Sequence, residues 1–236
     1  MLCHQLKCLF VHIPKTAGQS IEQALMQRLG AGPEDRPSLL LVHNPDRRRG
    51  PPRLAHLTAA EYLELGYLNA EQFDSYYKFS IVRNPWARLV SEYNYRRHYK
   101  RFDFRTFVLR RLPQPGPTQA YRHVMPQRDY LFDARGRQLV DFIGRLENID
   151  EDYPRLRDRL GLPPGPLPHV NRSAAKATRS RTGLPLLDGL KRTIYEKRRA
   201  RRTFAHYTRY YDAETRDRVT ELYADDIRTF GYRFGD

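Results

Sequence analysis

KCLFVHIPKTAGQS (Lys7–Ser20) and, further on, KFSIVRNPWARLVSEY (Lys78–Tyr93) decide the fold. In the first stretch the β-branched and aromatic run Lys7–Ile13 predicts a buried strand, and Pro14 to Gly18 predict a tight loop. Ser20 then reads as the cap of a helix reaching Leu29, with Ile21, Ala24, Leu25 and Leu29 at helical spacing and Gly30 as its stop. In the second, the strand Lys78–Val82 ends at Arg83. Pro85 opens a helix whose Trp86, Leu89, Val90 and Tyr93 follow the i, i+3, i+4, i+7 rule. Between the two, Arg53–His56 reads as a short strand leading to Thr58, and Thr58 with Glu61 is spaced as a capping box for a helix through Leu65. Strand, loop and helix thus recur three times. The predicted fold is α/β, a three-layer parallel sheet with flanking helices, and its ligands are expected at the carboxyl ends of the strands.

Outward from these stretches, Gly32–Pro52 reads as a surface excursion, Phe104–Leu112 as a helix and Gln114–Pro126 as a loop. Leu139–Leu146 suits a strand, Asp150–Leu160 an acidic-led helix and Leu162–Pro168 a proline-rich break. From Asn171 to about Arg202 the chain is basic and poor in large apolar residues, which suits either a solvated loop or a cover over an anionic ligand. Glu214–Phe230 carries Val219, Leu222, Tyr223, Ile227 and Phe230 on one stripe and is expected to pack on the sheet as one helix. No internal repeat is present, and residues 1–236 read as a single domain.

The chain has 236 residues, 40% of them hydrophobic and 29% charged. At that length about 70–75% of the unfolded surface can be buried, so neither disulfide nor metal staples are needed, and collagen-like or mainly disordered classes are excluded. Only Cys3 and Cys8 occur, too few and too close for a zinc or disulfide framework, which points to a reducing compartment. No run approaches the ~18–20 apolar residues of a membrane span. The opening MLCHQLKCLFVHIPK reaches a charge too soon for a signal segment, so a cytoplasmic protein is expected. The net charge is +15, and 35 of the 42 cationic side chains are arginine. Arginine forks suit phosphate, sulfate and carboxylate, so an anionic partner is expected, although a solvated basic surface would have the same composition.

A loop between a strand and a helix N-terminus that holds a lysine is a device for binding phosphate-like groups. Here Lys15 supplies charge, Thr16 and Ser20 supply hydroxyls, and Ala17–Gly18 lets the backbone approach. A tight strand-to-helix turn with a capping serine would use the same residues. A nucleoside triphosphate P-loop places its lysine after the second glycine, whereas Lys15 precedes Gly18, and Arg83 stands where a magnesium-binding carboxylate would be wanted. Asp141 and Glu147, bracketing another strand, keep a kinase-like alternative open.

HIPKTAGQS (His12–Ser20) resembles the 5′-phosphosulfate loop of the sulfotransferases that use 3′-phosphoadenosine 5′-phosphosulfate, and FSIVRNPWARLVSEY (Phe79–Tyr93) resembles their 3′-phosphate segment. Arg83 and Ser91 stand eight apart as in that family. DFIGRLENIDED (Asp141–Asp152), PHVNRS (Pro168–Ser173) and the C-terminal segment are also similar, most of all to the carbohydrate branch that includes heparan sulfate 2-O- and chondroitin 4-O-sulfotransferases. The resemblance implies that Lys15, Thr16, Ala17, Gly18, Gln19 and Ser20 cradle the phosphosulfate. It implies that Arg83 and Ser91 hold the 3′-phosphate and that Asn171, Arg172 and Ser173 close over the nucleotide. Gln19 departs from the usual Thr or Ser. His56 occupies the place of the family's catalytic histidine and is expected to act as base, with Lys15 neutralising the leaving group and no metal required. The expected acceptor is a glycan, gripped by Tyr95–Arg105 or Lys191–Arg202; nucleic acid is not expected. Sulfation of a lipid or small alcohol and non-catalytic polyanion binding are the alternatives.

Overall fold

Leu9 and Val11 face one way along their strand and Phe10 the other, and this alternation builds two cores on a single sheet. A computed structural model of the chain describes residues 1–168 and 206–236. Strand β2 (Cys8–Phe10) runs parallel to β3 (Tyr77–Val82), with Phe10 opposite Phe79. In turn β3 runs parallel to β4 (Phe142–Arg145), with Val82 opposite Arg145. The remaining neighbour of β2 is the antiparallel β1 (Leu2–Cys3), giving a four-stranded mixed sheet in the order β1-β2-β3-β4. The strands expected within Lys7–Ile13, Lys78–Val82 and Leu139–Leu146 are present and parallel. The antiparallel edge was not expected, because a two-residue strand carries no periodicity to read.

The helices, in chain order, are α1 (Gly18–Leu29), α2 (Ala59–Glu64), α3 (Ala70–Ser75), α4 (Pro85–Tyr95) and α5 (Phe104–Arg110). They continue with α6 (Gln119–Arg122), α7 (Arg128–Leu131), α8 (Ile149–Leu160), α9 (Ala213–Leu222) and α10 (Ala224–Phe230). One face of the sheet packs Phe10, Phe79 and Ile81 against Ile21 and Leu25 of α1 and Leu156 of α8. The opposite face packs Leu9, Val11 and Val82 against Trp86 and Leu89 of α4, Phe107 of α5 and Val219 of α9. This is the three-layer α/β arrangement. None of the described helices is long and apolar enough to cross a membrane.

Five local expectations are corrected. Arg53–His56 is no strand: Leu54–His56 forms a 3-10 turn, in which His56 N–H donates to the Arg53 carbonyl at 3.0 Å, and only Arg53 bridges to His43. Pro51 and Pro52 just upstream offer no N–H to a ladder. Ser20 lies inside the first turn of α1, whose cap position is Ala17 in the left-handed region (φ 64°). Glu214–Phe230 is two helices, broken at Tyr223, whose buried ring sends its hydroxyl to the Val124 carbonyl. Within Gln114–Pro126 lies α6, capped by the Thr118 hydroxyl. Gly32–Pro52 also goes deeper than a surface excursion, since Leu39, Leu40 and Leu41 are buried. By contrast, Thr58 and Glu61 form the expected capping box, each side chain accepting from the other's backbone N–H.

Candidate functional site

Because β2 and β3 are parallel neighbours, the loops that follow them emerge at the same end of the sheet. After β2 the chain turns through Lys15 (φ 73°) and Ala17 (φ 64°), two non-glycine residues in the left-handed region. Each such residue costs about 1–2 kcal/mol of backbone strain. What that strain yields is a curl of N–H groups leading into the N-terminus of α1, a concavity suited to an anion. No acidic side chain occupies the first turn of α1. The Thr16 hydroxyl, expected as a donor to the anion, is buried and donates to the Ile13 carbonyl at 2.8 Å, so in this structure it braces the loop. Ser20 is buried in the same turn, and Gln19 is exposed.

Arg83 leaves the end of β3 and donates through Nη1 to the Lys15 carbonyl at 3.3 Å. Its backbone is clamped on both sides by one side chain: Arg83 N–H donates to Gln127 Oε1 (2.9 Å), and Gln127 Nε2 donates to the Arg83 carbonyl (2.7 Å). Gln127 is itself held by the buried Asp226 of α10, which accepts from the N–H groups of Gln127 and Arg128 at 2.9 and 2.8 Å. Arg88, fully buried on α4, donates to the carbonyls of Pro14, Met125 and His123. It thereby staples the lysine loop to the segment after α6. Ser91 follows one turn later on α4, half-buried.

Three imidazoles form a row beside this loop. His12 and His56 meet edge to face with ring centroids 5.0 Å apart, and His56 and His123 do the same at 5.2 Å. Each is tied at Nδ1: His12 to Glu22 at 2.6 Å, His123 to Glu92 at 2.8 Å, and His56 to the Gln119 amide at 2.5 Å. A carboxylate on Nδ1–H fixes the tautomer that leaves Nε2 with its lone pair. Burial, aided by the neighbouring His12 and His123, pushes the His56 pKa well below its ordinary 6.5. Burial likewise lowers His123, while Glu92 opposes the change. Burial disfavours the charges of Glu22 and Glu92, yet their histidine partners hold both below the ordinary carboxylate value.

Lys15 links the row to the loop. Its Nζ sits 3.6 Å above the Tyr95 ring, which stacks on His123. Burial brings the Lys15 pKa down to about 8, with Glu92 pulling the other way. His12 also explains Gly18. A Cβ on residue 18 would lie 2.0 Å from His12 Cδ2, so the ring and the loop share one space. Beside the row a cavity of about 230 Å³ is lined by His43, Pro52, Arg53, Tyr95, Arg96, Gln119 and His123, with no carboxylate among them.

The structure therefore brings Lys15, Thr16, Ala17, Gly18, Ser20, Arg83 and His56 together at one end of the sheet. Asn171, Arg172, Ser173 and the Lys191–Arg202 run lie outside the described residues. The Tyr95–Arg105 patch divides: Tyr95 and Arg96 line the cavity, whereas Arg105 pairs with Asp212 at 2.7 Å and with Glu214. Asp141 pairs with Lys78 at 3.3 Å, at the start of β3 rather than its end. Glu147 accepts from Asn84 N–H and the Tyr232 hydroxyl. Among the described residues no cluster of His, Cys, Asp and Glu could hold a metal ion. His12, His123, Glu22, Glu92, Gln119 and Gln127 were missed in the sequence. Only the place of His12 inside HIPKTAG hints at any of them; Glu22 follows it by ten residues with no motif to mark the pair, and the other partners lie 31 or more residues apart.

A family model described as "Sulfotransferase family" matches residues 1–233. An uncharacterized protein of Archaeoglobus fulgidus is 38% identical over 97 residues, which cover 39% of this chain and 72% of that protein. No solved structure matches the chain.

Proposed function

The chain belongs to the sulfotransferase family, and from that premise we propose that it moves a sulfuryl group from 3′-phosphoadenosine 5′-phosphosulfate to a glycan hydroxyl. The observation that carries this reading is the meeting of two cationic segments. Arg83 reaches the Lys15 carbonyl at the mouth of the α1 turn. The left-handed loop, the α1 N-terminus and Lys15 suit the phosphosulfate; Arg83 and Ser91 suit the 3′-phosphate. The donor supplies an activated sulfuryl group on a phosphate leaving group.

The remaining work falls to the protein's own residues. His56, kept neutral by burial, takes the acceptor hydroxyl's proton as oxygen bonds to sulfur. Lys15 neutralises the charge left on the departing phosphate oxygen, a contribution of roughly 2.7–4 kcal/mol for comparable donors. The cavity beside the row has Arg53, Arg96 and His43 in its wall and no carboxylate, beside the apolar surfaces of Pro52 and Tyr95. The cations in that wall suit an acidic, hydroxyl-rich glycan, with the Tyr95 ring available to a sugar face.

Calorimetric titration without metal tests the donor. Adenosine 3′,5′-bisphosphate is expected to bind, adenosine 5′-phosphate to bind more weakly, and ATP with magnesium to gain nothing from the metal. Preference for magnesium ATP, or no nucleotide binding at all, overturns the reading.

A further inference from the structure

We propose that Gln119 is the positioning residue of His56, accepting the Nδ1 proton through its amide oxygen so that the lone pair stands on Nε2. The inference deepens the reading of His56 as base. Gln119 opens α6 and also lines the cavity, so one side chain touches both the acceptor space and the base. Two ties fix the approach of α6 to the turn that carries His56. One is the 2.5 Å contact between the Gln119 amide and His56 Nδ1; the other pairs Arg122 of α6 with Glu61 of α2, in the capping box just after His56.

An amide can offer either end to a ring nitrogen. With its nitrogen turned to Nδ1, Gln119 Oε1 is buried and accepts no hydrogen bond. In that arrangement Nδ1 must hold the lone pair, and the neutral ring carries its proton on Nε2, where it cannot take another. With the oxygen turned to Nδ1, the buried acceptor is used and Nε2 is free to receive the hydroxyl proton. The outer rings of the row show the same pattern, since Glu22 and Glu92 accept at Nδ1. A carboxylate at the central position would draw charge onto His56. The neutral amide orients the ring while leaving it uncharged in its buried place.

The test reads the ring directly and needs no acceptor. The full chain, with histidines labelled with nitrogen-15, is compared with His56→Ala to identify the His56 signals. Near pH 7 the expected spectrum shows a protonated Nδ1 and an unprotonated Nε2. Gln119→Glu is expected to raise the His56 titration midpoint by about one pH unit, as an adjacent carboxylate does, and Gln119→Leu to leave a mixture of the two tautomers. A proton found on Nε2 in the unaltered protein overturns the inference, and so does a midpoint that Gln119→Glu leaves in place. The base reading fails separately, if His56→Ala still transfers sulfate.

Discussion

The Arg83 guanidinium donates to the main-chain carbonyl of Lys15 at 3.3 Å, joining residues 68 positions apart. Glu147 partly balances the Arg83 charge, but the guanidinium's own contact is to a neutral carbonyl, and with Lys15 and Arg88 near it can still meet an anion. Arg83→Ala is therefore expected to lose about ten- to a hundredfold in affinity for adenosine 3′,5′-bisphosphate, the size of one charged hydrogen bond. Adenosine 5′-phosphate should weaken far less. Equal losses for the two nucleotides would remove Arg83 from the 3′-phosphate.

Gly18→Ala tests the shared space of loop and row. Its Cβ would fall 2.0–2.1 Å from the His12 ring, which is tied to Glu22, so the ring or the loop must shift. A loss of about 1–3 kcal/mol in unfolding stability is expected, as for other overpacked interiors, together with weaker nucleotide binding. Adding His12→Ala should restore part of the stability. Denaturant titrations of the single and double variants check this, and a stable Gly18→Ala protein would contradict it.

His56→Ala should bind adenosine 3′,5′-bisphosphate as the unaltered protein does, while sulfate incorporation falls about 10²–10⁴-fold, the usual worth of a general base. Labelled sulfate transfer onto acidic glycans measures it. Unchanged transfer would pass the role to another ring of the row.

Acid should weaken the fold in two stages. His56 and His123 have folded pKa values below 6.5, so the unfolded chain takes up more protons once the pH drops under that value. Their share of the stability is whole above pH 6.5 and shrinks as the pH falls toward their lowered values. Glu22 and Glu92 sit below 4.5, and their share is lost only as the pH falls further, through their own folded pKa values. Melting temperatures measured from pH 8 to pH 4 should decline first below pH 6.5. A flat curve between 7 and 5 would contradict the burial of neutral histidines.

Much of this was legible in the sequence because it is local. The strands at Lys7–Ile13 and Lys78–Val82, the helices after them and the Thr58–Glu61 box are patterns of spacing between near neighbours, and neighbours can be read. Arg53–His56 is ambiguous in the sequence, since four apolar-flanked residues suit a strand or a turn equally, and the prolines before it favour the turn. The histidine row was invisible for another reason: Glu92 and His123 are 31 residues apart and Gln119 and His56 are 63 apart. Nothing in their spacing signals a meeting that only the folded sheet and α4 bring about. The clamp of Gln127 on Arg83 is hidden in the same way.

The hydrogen-bonded register of β2 and β3 acts as a ruler. With Phe10 paired to Phe79, the two strands that lead to the lysine loop and to Arg83 lie one strand spacing apart, about 4.8 Å. Main-chain bonds set that interval, and no side chain can lengthen it. Exchanging residues at Lys15 or Arg83 can strengthen or weaken the grip on either end of a ligand, but a ligand of different length calls for a shift of the strands themselves. Retuning this site for a ligand of another length is thus a problem of backbone register before it is one of side-chain choice.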